Sequence, residues 1–533
     1  MRLFLPCLLL APFVVRGQVT TATTLSVLTY HNDNFRSGAN SNETKLTLTN
    51  VKVGSFGKLF TLAVDGEVYA QPLYVSGLAV NGAKHNVVFV ATENNSVYAF
   101  DADTAGPALW HTNFNYGASG VTVTPASSSD VNCNDISPVI GITSTPVIDL
   151  AHLTIYSVAK TKEVSSSATS FFHRLHGINV ETGQERFTQV TLTGSVPGVC
   201  GNVQSGNVVF DPLLQNQRAA LLELNGVIYI GSASHCDLGS YNGWLLGYST
   251  QSLSQVAALN TTPDDTTGEC KGGIWQSGGG PSADTLGNIY ALTGNGAFNV
   301  NAGGHSYSDS LLKLSTSGTG ALTIADYFTP YNQSSLDQQD LDFAGSGTAV
   351  LMQTESGPNP NLMVASGKAG TIYLINRDNL GGFNATDNVV QELPNAVGNG
   401  LMAYPPPVYY QQRIYFGGAS DHLKGFELNN GLFKTKPFAI SSGTFGGRGA
   451  GLSFSSTSTG ANAIIWALEG LTATGKLHAY NALTLSELYN TTMASGGGDN
   501  PGSSTKFSVP TVVNGKVYVG TQTSLVVYGL LTK

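Results

Sequence analysis

The sequence predicts an all-β fold: an eight-bladed β-propeller of four-stranded antiparallel blades around a central channel. Three observations carry that expectation. A burst of β-branched and aromatic residues, usually closing on Gly or Ala, recurs eight times, each followed after a short polar turn by a second strand. The bursts begin at Val87, Leu153, Val227, Ile289, Leu362, Ile414, Ile464 and Val517, stepping by 50 to 74 residues. Units of that length built only from short strands cannot bury their faces alone and stack into a ring. Finally, 63 Gly and only 11% charged residues fit many tight turns and strands covered on both faces.

The elements follow in order. The first strands read VVFVA, LTIYSV, VIYIG, IYAL, LMVA, IYFG, IIWAL and VYVG. Their partners read SVYAF (96–100), RLHGI (174–178), WLLGY (244–248) and SLLKL (310–314), then TIYLI (371–375), LKGF (423–426), KLHAY (476–480) and LVVY (525–528). The last pair runs almost to the C-terminus, so the final blade needs a strand from the other end of the chain. TLSVLTY at residues 24–30 is the candidate. Strand pairs run almost end to end with no Pro- or Ser-rich linker between them, which reads as one domain over residues 18–533.

Residues 1–17 have the layout of a secretory signal: Met1-Arg2, an apolar run over 3–15, then Arg16-Gly17. That run is too short to span a bilayer, and no later segment is apolar for long enough. Secretion is therefore expected. Six N-x-S/T sequons, at Asn42, Asn94, Asn260, Asn332, Asn384 and Asn490, would accept glycans in a eukaryotic host. Beyond Cys7 of the signal, four cysteines remain, Cys133, Cys200, Cys236 and Cys270. In an exported chain they suggest two disulfides with three possible connectivities, of which we favour Cys133–Cys236 with Cys200–Cys270. A formal net charge of -9 and the lack of a basic cluster argue against a nucleic-acid partner. There is no CxxCH haem motif and no CxxC zinc pair.

Ala99-Phe100-Asp101-Ala102-Asp103-Thr104-Ala105-Gly106-Pro107-Ala108-Leu109-Trp110 resembles the tryptophan-docking motif AxDxxTGxxxW, with one residue inserted before Gly106. That motif belongs to the eight-bladed quinoprotein alcohol dehydrogenases, which bind pyrroloquinoline quinone (PQQ). Four further segments resemble that family, in the family's order. GSASHCDLGSYNGWLLGY (231–248) is similar to the segment in which a Glu binds calcium; Asp237 takes that place, and Ser234 falls where a serine contacts the quinone carboxylates. NIYALTGNGAFN (288–299) maps the second calcium ligand to Asn295. FTPYNQSSLDQQDLDFAGSG (328–347) ends in LDFAG where the family has WDFAG, which puts the catalytic base, also beside the metal, at Asp342. ASGKAGTIYLINRD (365–378) maps the cation that touches the quinone oxygens to Lys368, and Trp275 is the candidate aromatic floor under the cofactor.

The residue types suit the chemistry that the resemblance implies. Calcium wants oxygen ligands and polarises the quinone carbonyl. A carboxylate removes the alcohol proton while hydride passes to the cofactor, and a lysine offsets the charge that develops. The implied partners are a small-molecule substrate and an external electron acceptor. The chain also departs from the family. Val131-Asn132-Cys133-Asn134-Asp135 holds one cysteine where the family has an adjacent pair, and Asp237 is a methylene shorter than Glu. Ala344 lacks the extra carboxylate of the lanthanide-using relatives, which favours calcium.

Structural readings stand beside the functional ones. Asp237 also reads as a turn residue before Gly239, Asn295 as a left-handed turn residue, Asp342 as one of a solvated acidic run, and Lys368 as a surface lysine. His173 and His176 read as packed in a strand. His235, beside Cys236, reads as a Cys–His pair only if Cys236 is not in a disulfide. Two function classes follow: a PQQ-type oxidoreductase acting on an alcohol, sugar or secondary metabolite, or a cofactor-free propeller that binds a ligand or catalyses a non-redox step such as a cyclisation.

Overall fold

The computed structural model describes residues 25–532 except 317, 319, 353–356, 399–401 and 471–472; the expected signal segment, with Cys7, lies outside the described residues. All eight expected strand pairs form as antiparallel neighbours. Each pair makes the middle of a blade sheet. In blade 4, for example, Ser282–Ala283, Ile289–Leu292, Leu311–Thr316 and Leu322–Phe328 lie side by side in chain order. A small three-stranded sheet, with its strands between 195 and 209, sits outside this pattern between blades 2 and 3. No helix among the described residues is long and apolar enough to cross a membrane.

The middle strands are apolar on both sides because each blade is covered by two neighbours. Val227–Ser234 and Ile464–Glu469 are buried along their whole length. Their side chains form apolar clusters that straddle the successive blade interfaces, from blades 8, 1 and 2 round to blades 7 and 8. The docking motif works as its pattern implies. Trp110 of blade 1 is buried and donates its Nε1–H to Val180 O of blade 2 at 2.9 Å. Its ring lies so close to Gly183 (φ +70°) that a Cβ there would come within 2.6 Å, so glycine is required for both space and backbone.

The ring closes differently from the expectation. The strand that completes blade 8 is Phe56–Ala63, paired antiparallel with Ser524–Leu530, and not the segment 24–30. Of that segment only Ser26–Val27 is a strand, and it joins blade 1 by pairing with Leu73–Val80. The chain then leaves extended geometry, because His31, Asn32 and Arg36 adopt positive φ of 54°, 71° and 60°.

Residues 25–40 instead form a strap that winds round one end of the ring and touches the strand heading every blade. Its carbonyls at Leu25, Leu28, Asn34, Phe35, Ser37 and Gly38 accept backbone N–H bonds from Ser76, Ile148, Ala283, Leu351, Tyr409 and Phe454, in blades 1, 2, 4, 5, 6 and 7. Asn34 Nδ2 reaches Glu223 O of blade 3 and Asn40 Nδ2 reaches Val512 O of blade 8. Arg36 is the hub. It is fully buried and donates to Pro281 O (3.0 Å), Thr29 Oγ1 (2.7 Å), Tyr30 O (2.9 Å) and Leu221 O (3.2 Å). Tyr30 stacks on His31 and packs with Ala220 and Val509 at this end of the ring.

Both favoured disulfides are present, Cys133–Cys236 and Cys200–Cys270. Of the sequons, Asn42 and Asn384 are exposed, but Asn260 is buried and its Nδ2 is shut off from solvent, so the folded chain offers no room for a glycan there.

Arg36→Ala leaves several buried acceptors without their donor and should lower stability by about 3 kcal/mol, read as a drop in the denaturation midpoint. The exposed Lys52→Ala is the control. Equal midpoints for the two variants would contradict the role given to the strap.

Candidate functional site

The other part of the channel holds a cavity of about 230 Å³ whose wall includes Asp237, Trp275, Asp342 and Lys368. Loops of three different blades bring them together. Asp342 follows the short helix Gln333–Gln338 and precedes the turn Phe343–Ser346. Phe343 anchors the turn in the core, packed against Phe328 and Tyr373, with its N–H on the buried Asp309 Oδ1 at 3.0 Å. The Asp342 carboxylate is thereby fixed at the wall, only 7% exposed.

Its partners are the residues the sequence singled out. The Asn295 backbone N–H donates to Asp342 Oδ1 at 2.9 Å, and Lys368 Nζ lies 2.5 Å from Oδ2. Gly294 makes this possible, since a Cβ there would come within 2.4 Å of Asp342 Oδ1. Asp340 ties the arrangement from outside, accepting from Asn295 Nδ2 at 3.0 Å and Lys368 Nζ at 2.7 Å. Burial works against the Lys368 ammonium, but Asp342 and then Asp340 outweigh it and raise its pKa. Lys368 is therefore a cavity residue, not a surface lysine, and Asp342 is not a solvated member of an acidic run. Asn295 is not in the left-handed region; Gly296 takes the positive φ, at 135°.

Asp237 sits in the cavity wall and accepts a hydrogen bond from Tyr241 OH. Burial raises its pKa against the pull of that bond, and the Asp342 charge adds to the rise. Trp275 packs edge-on to Tyr241, with ring centroids 6.3 Å apart. Ser234 is fully buried behind the wall and does not line the cavity. Two buried polar atoms here have no protein partner: Asn295 Oδ1 and Trp275 Nε1. Such atoms are costly to leave unpaired.

The Cys133–Cys236 bridge brings Cys236 to the same wall, which rules out a Cys–His nucleophile. His235 Nε2 instead accepts from the buried Lys160 Nζ at 2.8 Å. His173 and His176 are buried in the strand Thr169–Asn179, as expected. Cys200, Asp265 and Cys270 group at metal-ligand spacing, but the two sulfurs are bonded to each other.

Sequence reasoning missed the rest of the wall, which includes Asp135, Arg218, Arg448, Lys506 and Phe507. They come from loops of blades 2, 3, 7 and 8 and share no linear motif. Cys236, Asp237, Ser277 and Phe507 hold positive φ of 54°, 52°, 45° and 62°, a concentration of strained non-glycine backbone of the kind found at ligand sites. Behind Arg218 lies Glu93, fully buried, accepting from Gly141 N (2.6 Å) and Thr143 Oγ1 (3.1 Å). Burial pushes its pKa up to about 8.

No known family profile matches the chain, and no curated relative matches it. Its structure is similar to quinohemoprotein alcohol dehydrogenase from Comamonas testosteroni (13% identity, TM-score 0.61, 95% of this chain and 80% of that one). It is similar to a second such enzyme, from Pseudomonas putida HK5 (13%, 0.61, 95% and 81%). A europium-containing methanol dehydrogenase also matches (13%, 0.58, 95% and 98%). The fold that the motif resemblance implied is the fold found.

The Glu93 carboxyl predicts a pH dependence. Between its unfolded value of about 4.3 and its folded value of about 8, the folded protein keeps a proton that the unfolded chain has released. Stability therefore falls as pH rises through that window. Glu93→Gln should remove this slope; an unchanged slope in denaturation midpoint between pH 5 and 8 would contradict the assignment.

Proposed function

We propose that this chain is a secreted PQQ-type oxidoreductase that oxidises a hydroxyl of an alcohol, sugar or secondary metabolite in its channel. The observation that carries this reading is the Asp342 carboxylate, gripped by Asn295 N and Lys368 Nζ at the wall of a cavity it shares with Trp275 and Asp237. Asp237, Asn295, Asp342 and Lys368 are far apart in sequence, and each falls in a separate segment that resembles the quinoprotein alcohol dehydrogenases.

The residues present fit the implied group. Asp237, Asp342 and the unpartnered Asn295 Oδ1 offer the oxygen-only donor set that calcium requires. The unpartnered Trp275 Nε1 and the Trp275 ring offer one polar contact and a flat apolar one. When bound, PQQ with calcium would supply the two-electron acceptor for hydride leaving the carbinol carbon, and an external acceptor would then carry the electrons away. The chain's own work is to hold and deprotonate. Asp342 takes the hydroxyl proton, with its orientation fixed by Asn295 N. Lys368 bridges Asp340 and Asp342 and keeps a cation at the point where negative charge develops.

Asp342→Asn keeps the shape and the bond from Asn295 N but loses proton acceptance. It should fold normally and bind PQQ, yet lose dye-coupled turnover on kcat by roughly 10²–10⁴-fold. Lys368→Ala should also weaken PQQ binding. Unchanged turnover in Asp342→Asn would overturn the catalytic assignment, and turnover of a substrate by PQQ-free protein would favour a non-redox reaction in the same channel.

A further inference from the structure

Beyond the Asp342 side, the cavity wall is cationic. Arg218 enters from the segment between Gln215–Asn216 and Leu222–Leu224 of blade 3, and Arg448 from the loop before Ala450–Ser455, which heads blade 7. Blades 3 and 7 are opposite in a ring of eight, so the two guanidiniums approach the cavity from facing sides. Arg218 spends Nη1 on Asp135 at 3.0 Å, and its Nη2 is buried with no partner. The Phe507 ring lies 4.8 Å from the guanidinium carbon and holds its plane. Arg448 makes no ion pair and no hydrogen bond among the described residues. Lys506 is 3% exposed and shares Asp135 with Arg218.

Asp135 pairs with Arg218 and Lys506, and Glu67 lies close to Lys506, but Arg448 has no carboxylate partner among the described residues. Glu93, behind them, is raised to about 8 by burial and holds its proton at neutral pH. Burial, followed by the Arg218 charge, lowers the pKa of Arg448, in keeping with two guanidiniums that feel each other. Buried charge is stable only when it is paired, and an unpartnered guanidinium N–H facing a second arginine is the geometry that a carboxylate satisfies, since it accepts from both.

We propose that Arg218 and Arg448 form a carboxylate-binding subsite, and that the channel's substrate is a hydroxylated acid whose carboxylate docks there while its hydroxyl is presented to Asp342. The second half of this statement rests on the reading of Asp342 as the base. The subsite itself does not. PQQ also carries carboxylates, so the test must separate a substrate carboxylate from the cofactor's.

The test is calorimetric titration with succinate and with succinamide, its neutral diamide, at fixed ionic strength. It is run on wild type, Arg448→Gln and Arg448→Lys, each without and with PQQ plus calcium. Succinate should bind at least about tenfold more tightly than succinamide, the scale of one charge-assisted bond. Arg448→Gln should erase that preference and Arg448→Lys should keep part of it. The preference should survive addition of PQQ and calcium. Equal binding of the two probes, or a preference that Arg448→Gln leaves intact, would overturn the subsite. Loss of the preference on adding PQQ and calcium would assign the arginines to the cofactor and overturn the substrate class. A protein that prefers succinate but does not bind PQQ would keep the subsite and refute only the redox reading.

Discussion

Arg36 and the strap it anchors are what the rest of this molecule depends on. A propeller blade touches only its neighbours, so a ring of eight is held by interfaces in series and fails at its weakest one. Two devices address this. The antiparallel pairing of Phe56–Ala63 with Ser524–Leu530 joins the chain's two ends within one blade. The strap then bonds to the head of every blade, and a single buried guanidinium ties its own turn (Thr29, Tyr30) to the carbonyls of Leu221 and Pro281. The blade interfaces thus share a common hub.

Fixed charges held in a partly buried wall act more strongly than they do in bulk water, and here they fall into two groups. Asp342, Lys368 and Asp340 form one group, in which a single ammonium is shared by two carboxylates. Arg218, Lys506, Asp135 and Glu67 form a second group, and Arg448 stands beside it without a carboxylate partner among the described residues. Unpaired buried atoms occur in both groups: Asn295 Oδ1 and Trp275 Nε1 near Asp342, and Arg218 Nη2 and Glu93 Oε1 near the arginines.

The blades were legible because a middle strand is buried on both faces, so IYAL or VYVG reads as an uninterrupted apolar run ending in a turn. The closing strand was harder to see. FGKLFTLA alternates buried and exposed positions after its first two residues, whereas TLSVLTY looks more strand-like, and the left-handed His31, Asn32 and Arg36 that stop it carry no side-chain pattern. Asp342 and its partners were legible as local motifs, because LDFAG and TGN each encode a rigid turn. Arg218, Arg448 and Lys506 were invisible, since what joins them is a meeting across the channel that linear spacing does not record. Asn260 shows the same limit in the opposite sense: a correct sequon sits on a buried side chain.

The most direct measurement is an equilibrium titration of the purified protein with PQQ, read through the cofactor's visible absorption and run once with calcium and once with a chelator. Saturable binding of one PQQ per chain that disappears with the chelator is the expected result, because Asp237, Asn295 and Asp342 would hold the ion through which the quinone is held. Absence of saturable binding in both conditions would contradict the assignment of this cavity as a quinone site.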